Sequence, residues 1–122
     1  MQGSVQTTYG KVANQTATQR ELEANLLLKA ASQLQAVRDN WDPTRGDLND
    51  ALQYNRTLWT IFFSAVTKAD NPLPPAIREN VANLGLFVFK HTLAVIADPR
   101  PERLGSLINI NREVATGLRG RA

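Results

Sequence analysis

Residues 48–63, LNDALQYNRTLWTIFF, decide the fold that this sequence predicts. Their apolar side chains recur at intervals of three and four, which is typical of one face of an α-helix. Asn55 lies in the middle of that face, and Arg56 flanks it. The apolar stripe consists of Leu48, Leu52, Leu58, Trp59, Phe62 and Val66.

Residues 104–112, LGSLININR, repeat this pattern near the C-terminus, where Asn111 interrupts an apolar stripe and Arg112 follows it. A polar amide on an apolar seam is unfavourable unless it finds a partner, and in return it can fix the register of packing. Two interpretations remain open. Asn55 and Asn111 hydrogen-bond each other between the second and fourth helices, or they bind the backbone of another protein.

Proline-rich segments divide the chain into four helices. A Thr-x-x-Glu capping box at Thr18 and Glu21 predicts a first helix from about residue 19 to residue 40. A turn at 42–46 precedes a second helix over about 47–69. Helix-breaking segments follow at 70–75 and 98–101. Proline is favoured at the first helical position, so Pro75 and Pro101 are expected to open the third and fourth helices, the last ending near Gly117.

Short connections between long helices predict an all-α fold, a small up-and-down four-helix bundle. Residues 1–17 are expected to form a loose N-terminal arm or a short extra helix, with Tyr9 docking on the bundle. Residues 18–118 are expected to form the bundle and residues 119–122 a C-terminal tail.

The third helix is predicted to be apolar nearly all round between Leu84 and Ile96. One stripe consists of Ile77, Val81, Leu84, Val88, His91 and Val95, and a second consists of Leu86, Phe89, Leu93 and Ile96. Such a helix is central in its bundle or offers one face to a partner. The aromatic residues around the second and third helices either fill the core or line a groove for an amphipathic helix.

Composition excludes several classes of function. The chain has 122 residues, 43% of them hydrophobic, and no cysteine, so disulfides and thiolate metal sites are excluded. The formal charge of +3 is thinly spread, unlike the concentrated basic face of a nucleic-acid binder. The densest apolar run, residues 84–89, is shorter than a membrane span needs, and the N-terminus lacks an apolar signal core. We therefore expect a cytoplasmic protein without a membrane contact.

No catalytic constellation is recognisable in the sequence. The single histidine, His91, lies on an apolar stripe without further ligands at metal-binding spacing. No Gly-rich phosphate loop or nucleophile motif occurs. We expect neither an enzyme nor a cofactor-binding protein, and we interpret His91 as a hydrogen-bonded core residue.

Several motifs in order along the chain resemble the FlaF family of flagellar biosynthesis regulators. The most specific are NRTLW at 55–59, DNPLP at 70–74 and INR at 110–112. Others are RELEA at 20–24, LKAA at 28–31 and LQAVRD at 34–39, so the resemblance covers most of residues 9–118. Gln19 departs from the proline expected before Arg20, which affects helix initiation more than function.

The resemblance implies a role in flagellin production, together with FlbT, a regulator of flagellin translation. We expect a regulator and export chaperone that holds a terminal amphipathic helix of flagellin in an apolar groove. An RNA-binding regulator of flagellin mRNA acting with FlbT is the alternative, and steep salt dependence would distinguish it. The expected partner-binding residues are Tyr54, Asn55, Arg56, Trp59, Phe62, Phe63, Phe87, Phe89, Asn111 and Arg112.

Overall fold

The computed structural model describes residues 4–42, 44 and 46–120, with side chains from residue 18 onward. Within these ranges the chain contains four α-helices and no strand, which confirms the all-α prediction. The helices are α1 (Ser4–Asp39), α2 (Asp47–Val66), α3 (Pro75–Ala97) and α4 (Gly105–Leu118). A 3-10 helix, Pro101–Leu104, leads directly into α4.

Pro75 is confirmed as a helix start, whereas α4 begins at Gly105, four residues after the predicted Pro101. Pro75 is the first residue of α3, and Pro101 opens the 3-10 helix after Arg100, which is extended with φ −144° and ψ 138°. The second helix ends at Val66, three residues earlier than predicted. Asn71 explains this, because its Nδ2 donates to the carbonyl of Ala65 and its Oδ1 accepts from the amide of Leu73. These bonds stabilise the turn instead of another helical turn.

The predicted start of the first helix is wrong. Helix α1 begins at Ser4, so Thr18 and Glu21 lie within the helix and do not cap it. The amides that a capping box would satisfy already bond to carbonyls one turn earlier. Gly10 lies within the same helix and is tolerated there at a cost of about 1 kcal/mol relative to alanine. The predicted docking of Tyr9 falls outside the described side chains.

The four helices do not pack symmetrically. Helix α1 lies against α4 and α2, whereas α3 lies chiefly against α2 and meets α4 only slightly. The largest fully buried side chains belong to all four helices and the 3-10 segment, and include Leu27, Leu34, Trp59, Val88, Val95, Leu104, Leu107 and Ile108. Helix α3 is therefore the outer member of the bundle, with much of its surface uncovered by the described residues.

Candidate partner-binding surface

Helix α3 has two apolar faces, and only one of them is buried. Val81, Gly85, Val88, Thr92 and Val95 form the buried face. The side chains of the second predicted stripe point away from it, and Leu86, Leu93 and Ile96 are 56%, 60% and 50% exposed. Isolated exposed leucines are ordinary, but contiguous apolar surface on one helix face marks an interaction site.

A groove beside this exposed face is formed by α2 and α3. It encloses a cavity of about 280 Å³ lined by Arg56, Thr60, Phe63, Phe89, Thr92 and Leu93. The Phe63 and Phe89 rings meet edge to face, with centroids 5.8 Å apart and an interplanar angle of 73°. This geometry is favourable for aromatic pairs. The cavity and the exposed stripe share Phe89 and Leu93, and we call the two together the α2–α3 groove.

Gly85 allows α2 and α3 to approach each other closely beside this groove. A Cβ added at Gly85 would lie 3.1 Å from Cδ2 of Phe63 and 3.6 Å from Cε3 of Trp59. The first distance is tighter than ordinary van der Waals contact. Glycine therefore allows the aromatic side chains of α2 to pack directly on the α3 backbone.

Helix α3 also has the length and composition of a membrane span. Its most apolar 18-residue window has a mean hydropathy of 1.4, and 28% of that window is buried. The core helix of a bundle passes the same test, and the buried face of α3 packs on α2. The predicted absence of a membrane contact stays a prediction.

Asn55 and Asn111 are fully buried and joined by a hydrogen bond. Nδ2 of Asn111 donates to Oδ1 of Asn55 over 2.7 Å, and Oδ1 of Asn111 accepts from Nε1 of Trp59 over 2.8 Å. Trp59 is 0% exposed, and its neighbour Phe62 is 7% exposed. The first interpretation of the paired asparagines, mutual hydrogen bonding between α2 and α4, is confirmed. A partner could reach Asn55, Trp59 and Asn111 only if the bundle opened, whereas Phe62 borders a cavity at one end of the bundle.

The remaining predicted contact residues are divided among different faces. Arg56, Phe63 and Phe89 lie together in the α2–α3 groove. Tyr54 lies on the side of α2 that faces α1, where the Lys29 ammonium is 5.5 Å from its ring centroid. Arg112 is exposed on α4 and reaches towards Gln35 of α1, over a long 3.4 Å.

Phe87 lies on a third face of α3, away from the groove. Its ring stacks on His91, with centroids 5.2 Å apart and planes inclined by 12°. Nε2 of His91 lies 2.7 Å from the carbonyl oxygen of Arg103 and 3.1 Å from Oγ of Ser106. His91 is therefore hydrogen-bonded to the segment after α3, as the sequence predicts.

A second cavity, of about 440 Å³, lies at the end of the bundle formed by the start of α3 and the end of α4. Phe62, Val66 and Val81 are part of its apolar lining, and Glu23 of α1 borders it. Burial raises the pKa of the Glu23 carboxyl, and nearby Arg20 offsets part of that rise. The ionised carboxylate of Glu23 therefore lowers the free energy of unfolding.

The structure adds Leu86, Leu93 and Ile96 to the candidate surface. None of these residues was expected to bind a partner, although the sequence places them on a common stripe. Their spacing relative to Val81, Val88 and Val95 could have indicated this surface. A helix that has two apolar stripes but buries only one face leaves its second stripe exposed. No group of three potential metal ligands comes together among the described residues.

The fold and this surface define a small all-helical protein with an exposed apolar face beside an aromatic groove. The family described as "Flagellar protein FlaF" matches residues 5–118 of the chain. The chain therefore belongs to the FlaF family and has a flagellum-related role. Neither the search of curated proteins nor that of solved structures found a match.

Proposed function

We propose that this protein binds a terminal helical segment of flagellin in the α2–α3 groove. It acts there as a cytoplasmic regulator and export chaperone that promotes flagellin synthesis and secretion. The observation that carries the proposal is the exposure of Leu86, Leu93 and Ile96 directly beside the Phe63–Phe89 pair. An apolar groove next to an apolar helix face suits an amphipathic helix, whose own apolar side would otherwise lie in water.

Membership of the FlaF family supports a flagellar context for this contact. The terminal segments of flagellin are amphipathic helices that must remain unpaired until export. A bundle that covers their apolar faces would keep them soluble. FlbT is a further candidate partner. If FlbT and flagellin compete for binding to this protein, FlbT binds to the same surface.

The charges near the groove favour a protein over RNA as the occupant. RNA binding needs a cationic track with stacking aromatics, whereas the described residues that line the cavity of the groove include one charged side chain, Arg56. The direct test is to titrate purified flagellin and, separately, flagellin leader RNA into the protein at low and high salt. We expect flagellin to bind with weak salt dependence. If the protein binds only the RNA, and the affinity falls steeply as salt is added, the RNA-binding function replaces this proposal.

A further inference from the structure

Five apolar residues on the outer side of α3 follow a heptad repeat; Leu86, Leu93 and Ile96 are exposed, and Ala82 and Phe89 are half-buried. Ala82, Leu86, Phe89, Leu93 and Ile96 are separated by intervals of 4, 3, 4 and 3 residues. This is the a/d spacing of a helix that supercoils with another helix. Helix α3 packs on α2 through the other face, formed by Val81, Gly85, Val88, Thr92 and Val95. The heptad residues, which we call the outer seam, are thus a second packing face.

The outer seam has the dimensions of a short coiled-coil contact. From Ala82 to Ile96 it covers four helical turns, or about 21 Å at 1.5 Å per residue. A helix packed on such a seam crosses at about 20° and inserts its own a and d side chains between those of α3. Leu86 and Leu93 occupy equivalent positions one heptad apart and are both more than half exposed.

Two cations flank the outer seam. Lys90 follows Phe89 on the outer side of α3, and Arg56 of α2 borders the seam at the cavity shared with Leu93. Both side chains are exposed, and neither forms an ion pair within the described part of the chain. Residues 57–66 and 80–97 contain no acidic residue. The middle of the seam is therefore flanked by two cations without an acidic neighbour in these segments, whereas Glu79 lies at its N-terminal end, one turn before Ala82.

This charge pattern disfavours a second copy of the chain as the occupant. An antiparallel pairing of two outer seams about Phe89 brings the two Lys90 ammonium groups together. Like charges facing across a two-helix contact are unfavourable and select against that pairing.

We propose that the outer seam is one half of a heterotypic two-helix contact. Its partner is a helix of about 15 residues or more with apolar residues at heptad spacing and carboxylates flanking them. This inference rests on the proposed function, since it names the chemistry of the flagellin segment that the groove takes. The carboxylates lie against Arg56 and Lys90, fix the register of the partner helix and exclude basic helices.

Two synthetic peptides with the same apolar heptad seam test this inference. One carries glutamate at the flanking e and g positions, and the other carries lysine there. We expect the full-length protein to bind the glutamate peptide about tenfold more tightly at low salt, with the ratio falling as salt is added. The double variant Arg56→Glu, Lys90→Glu should reverse the preference, because it reverses both flanking charges.

Substitutions in the seam supply the controls. Leu93→Ser or Leu86→Ser should weaken binding of both peptides, whereas Leu22→Ser, at a 51% exposed position on α1, should leave it unchanged. Leu86 and Leu93 are both exposed, so the helical circular dichroism spectrum should be retained. Equal binding of the two peptides would overturn the inference, as would self-association of the wild-type protein that Leu93→Ser abolishes.

The outcomes separate this inference from the proposed function. Selective binding of the glutamate peptide without any binding of flagellin would support the inference and contradict flagellin as the partner. Flagellin binding that Leu93→Ser weakens, together with equal affinity for the glutamate and lysine peptides, would support the proposed function and contradict the charge-selective heptad contact.

Discussion

The indole nitrogen of Trp59 lies 2.8 Å from Oδ1 of Asn111, and both side chains are fully buried. An indole N–H can only donate, so this bond fixes the orientation of the Asn111 amide. Nδ2 of Asn111 must then face Asn55, and Oδ1 of Asn55 must accept from it. A tryptophan on α2 thus orients the amide–amide bond between α2 and α4.

Asn111 forms two hydrogen bonds in this network and Asn55 forms one, so replacing each by alanine should lower the free energy of unfolding by different amounts. Asn111→Ala removes the partners of both Trp59 and Asn55, whereas Asn55→Ala removes one partner of Asn111. Nδ2 of Asn55 has no hydrogen-bond partner among the described residues, so its loss costs little. We expect the free energy of unfolding in urea to fall by about 1 kcal/mol for Asn55→Ala and by about 2–3 kcal/mol for Asn111→Ala.

The double variant tests whether the two asparagines act as one unit. Because each single substitution already breaks the shared bond, the loss in the double variant should be smaller than the sum of the two single losses. Strictly additive losses, or a larger loss for Asn55→Ala than for Asn111→Ala, would contradict this arrangement of hydrogen-bond donors and acceptors.

Much of the fold follows from the sequence because its determinants are local. Proline positions fix the starts of α3 and the 3-10 helix, and apolar periodicity identifies which helix faces are buried. The start of α1 was missed because the capping signal at Thr18 and Glu21 is equally compatible with a helix interior. Local pattern alone does not show that the helix continues back to Ser4.

The candidate surface was only partly predictable, because it depends on how the helices pair. The sequence places Trp59, Phe62, Phe63 and Phe87 on the second and third helices without stating which neighbour covers each one. Packing buries the first two, leaves Phe63 in the groove and turns Phe87 towards His91. The second stripe of α3 was recognised, but its exposure follows from the slight contact between α3 and α4.

Gly85 should respond to side-chain size more strongly than other helical glycines. Gly85→Ala gains up to about 1 kcal/mol of helix propensity but crowds Phe63, so we expect little net change. Gly85→Val should lower the free energy of unfolding by about 1–3 kcal/mol through overpacking. Gly117 is the matched control, since nothing lies within 4 Å of an added Cβ there.

Chemical denaturation of the four variants tests this view of the α2–α3 contact. Gly117→Ala should be neutral or stabilising, and Gly117→Val should cost less than Gly85→Val. If valine were tolerated equally at both positions, α2 and α3 would not approach at Gly85 as described.

The half-buried carboxyl of Glu23 predicts a stability change that depends on pH. Burial raises its pKa in the folded state, so the folded protein retains this proton at pH values where the unfolded chain has lost it. The resulting cost to folding appears as pH rises and is complete above both pKa values. Glu23→Gln should therefore raise the melting temperature at pH 7, and the gain should vanish below about pH 4.

Thermal melts at pH 7 and at low pH check this sign. Glu113→Gln, at an exposed position on α4, serves as the matched control and should change stability little at either pH. A melting temperature at pH 7 that falls on Glu23→Gln substitution would show that the carboxylate is stabilised by its surroundings.

The central claim is that flagellin binds along the α2–α3 groove, and calorimetric titration with a matched pair of α3 variants tests it most directly. Leu93 lies in the groove, whereas Phe87 lies on another face of the same helix and is 43% exposed. We predict that flagellin binds the wild-type protein, that Leu93→Ser weakens binding about tenfold or more, and that Phe87→Ser changes it little. No binding to the wild-type protein, or equal affinity for wild-type and Leu93→Ser, would contradict the account.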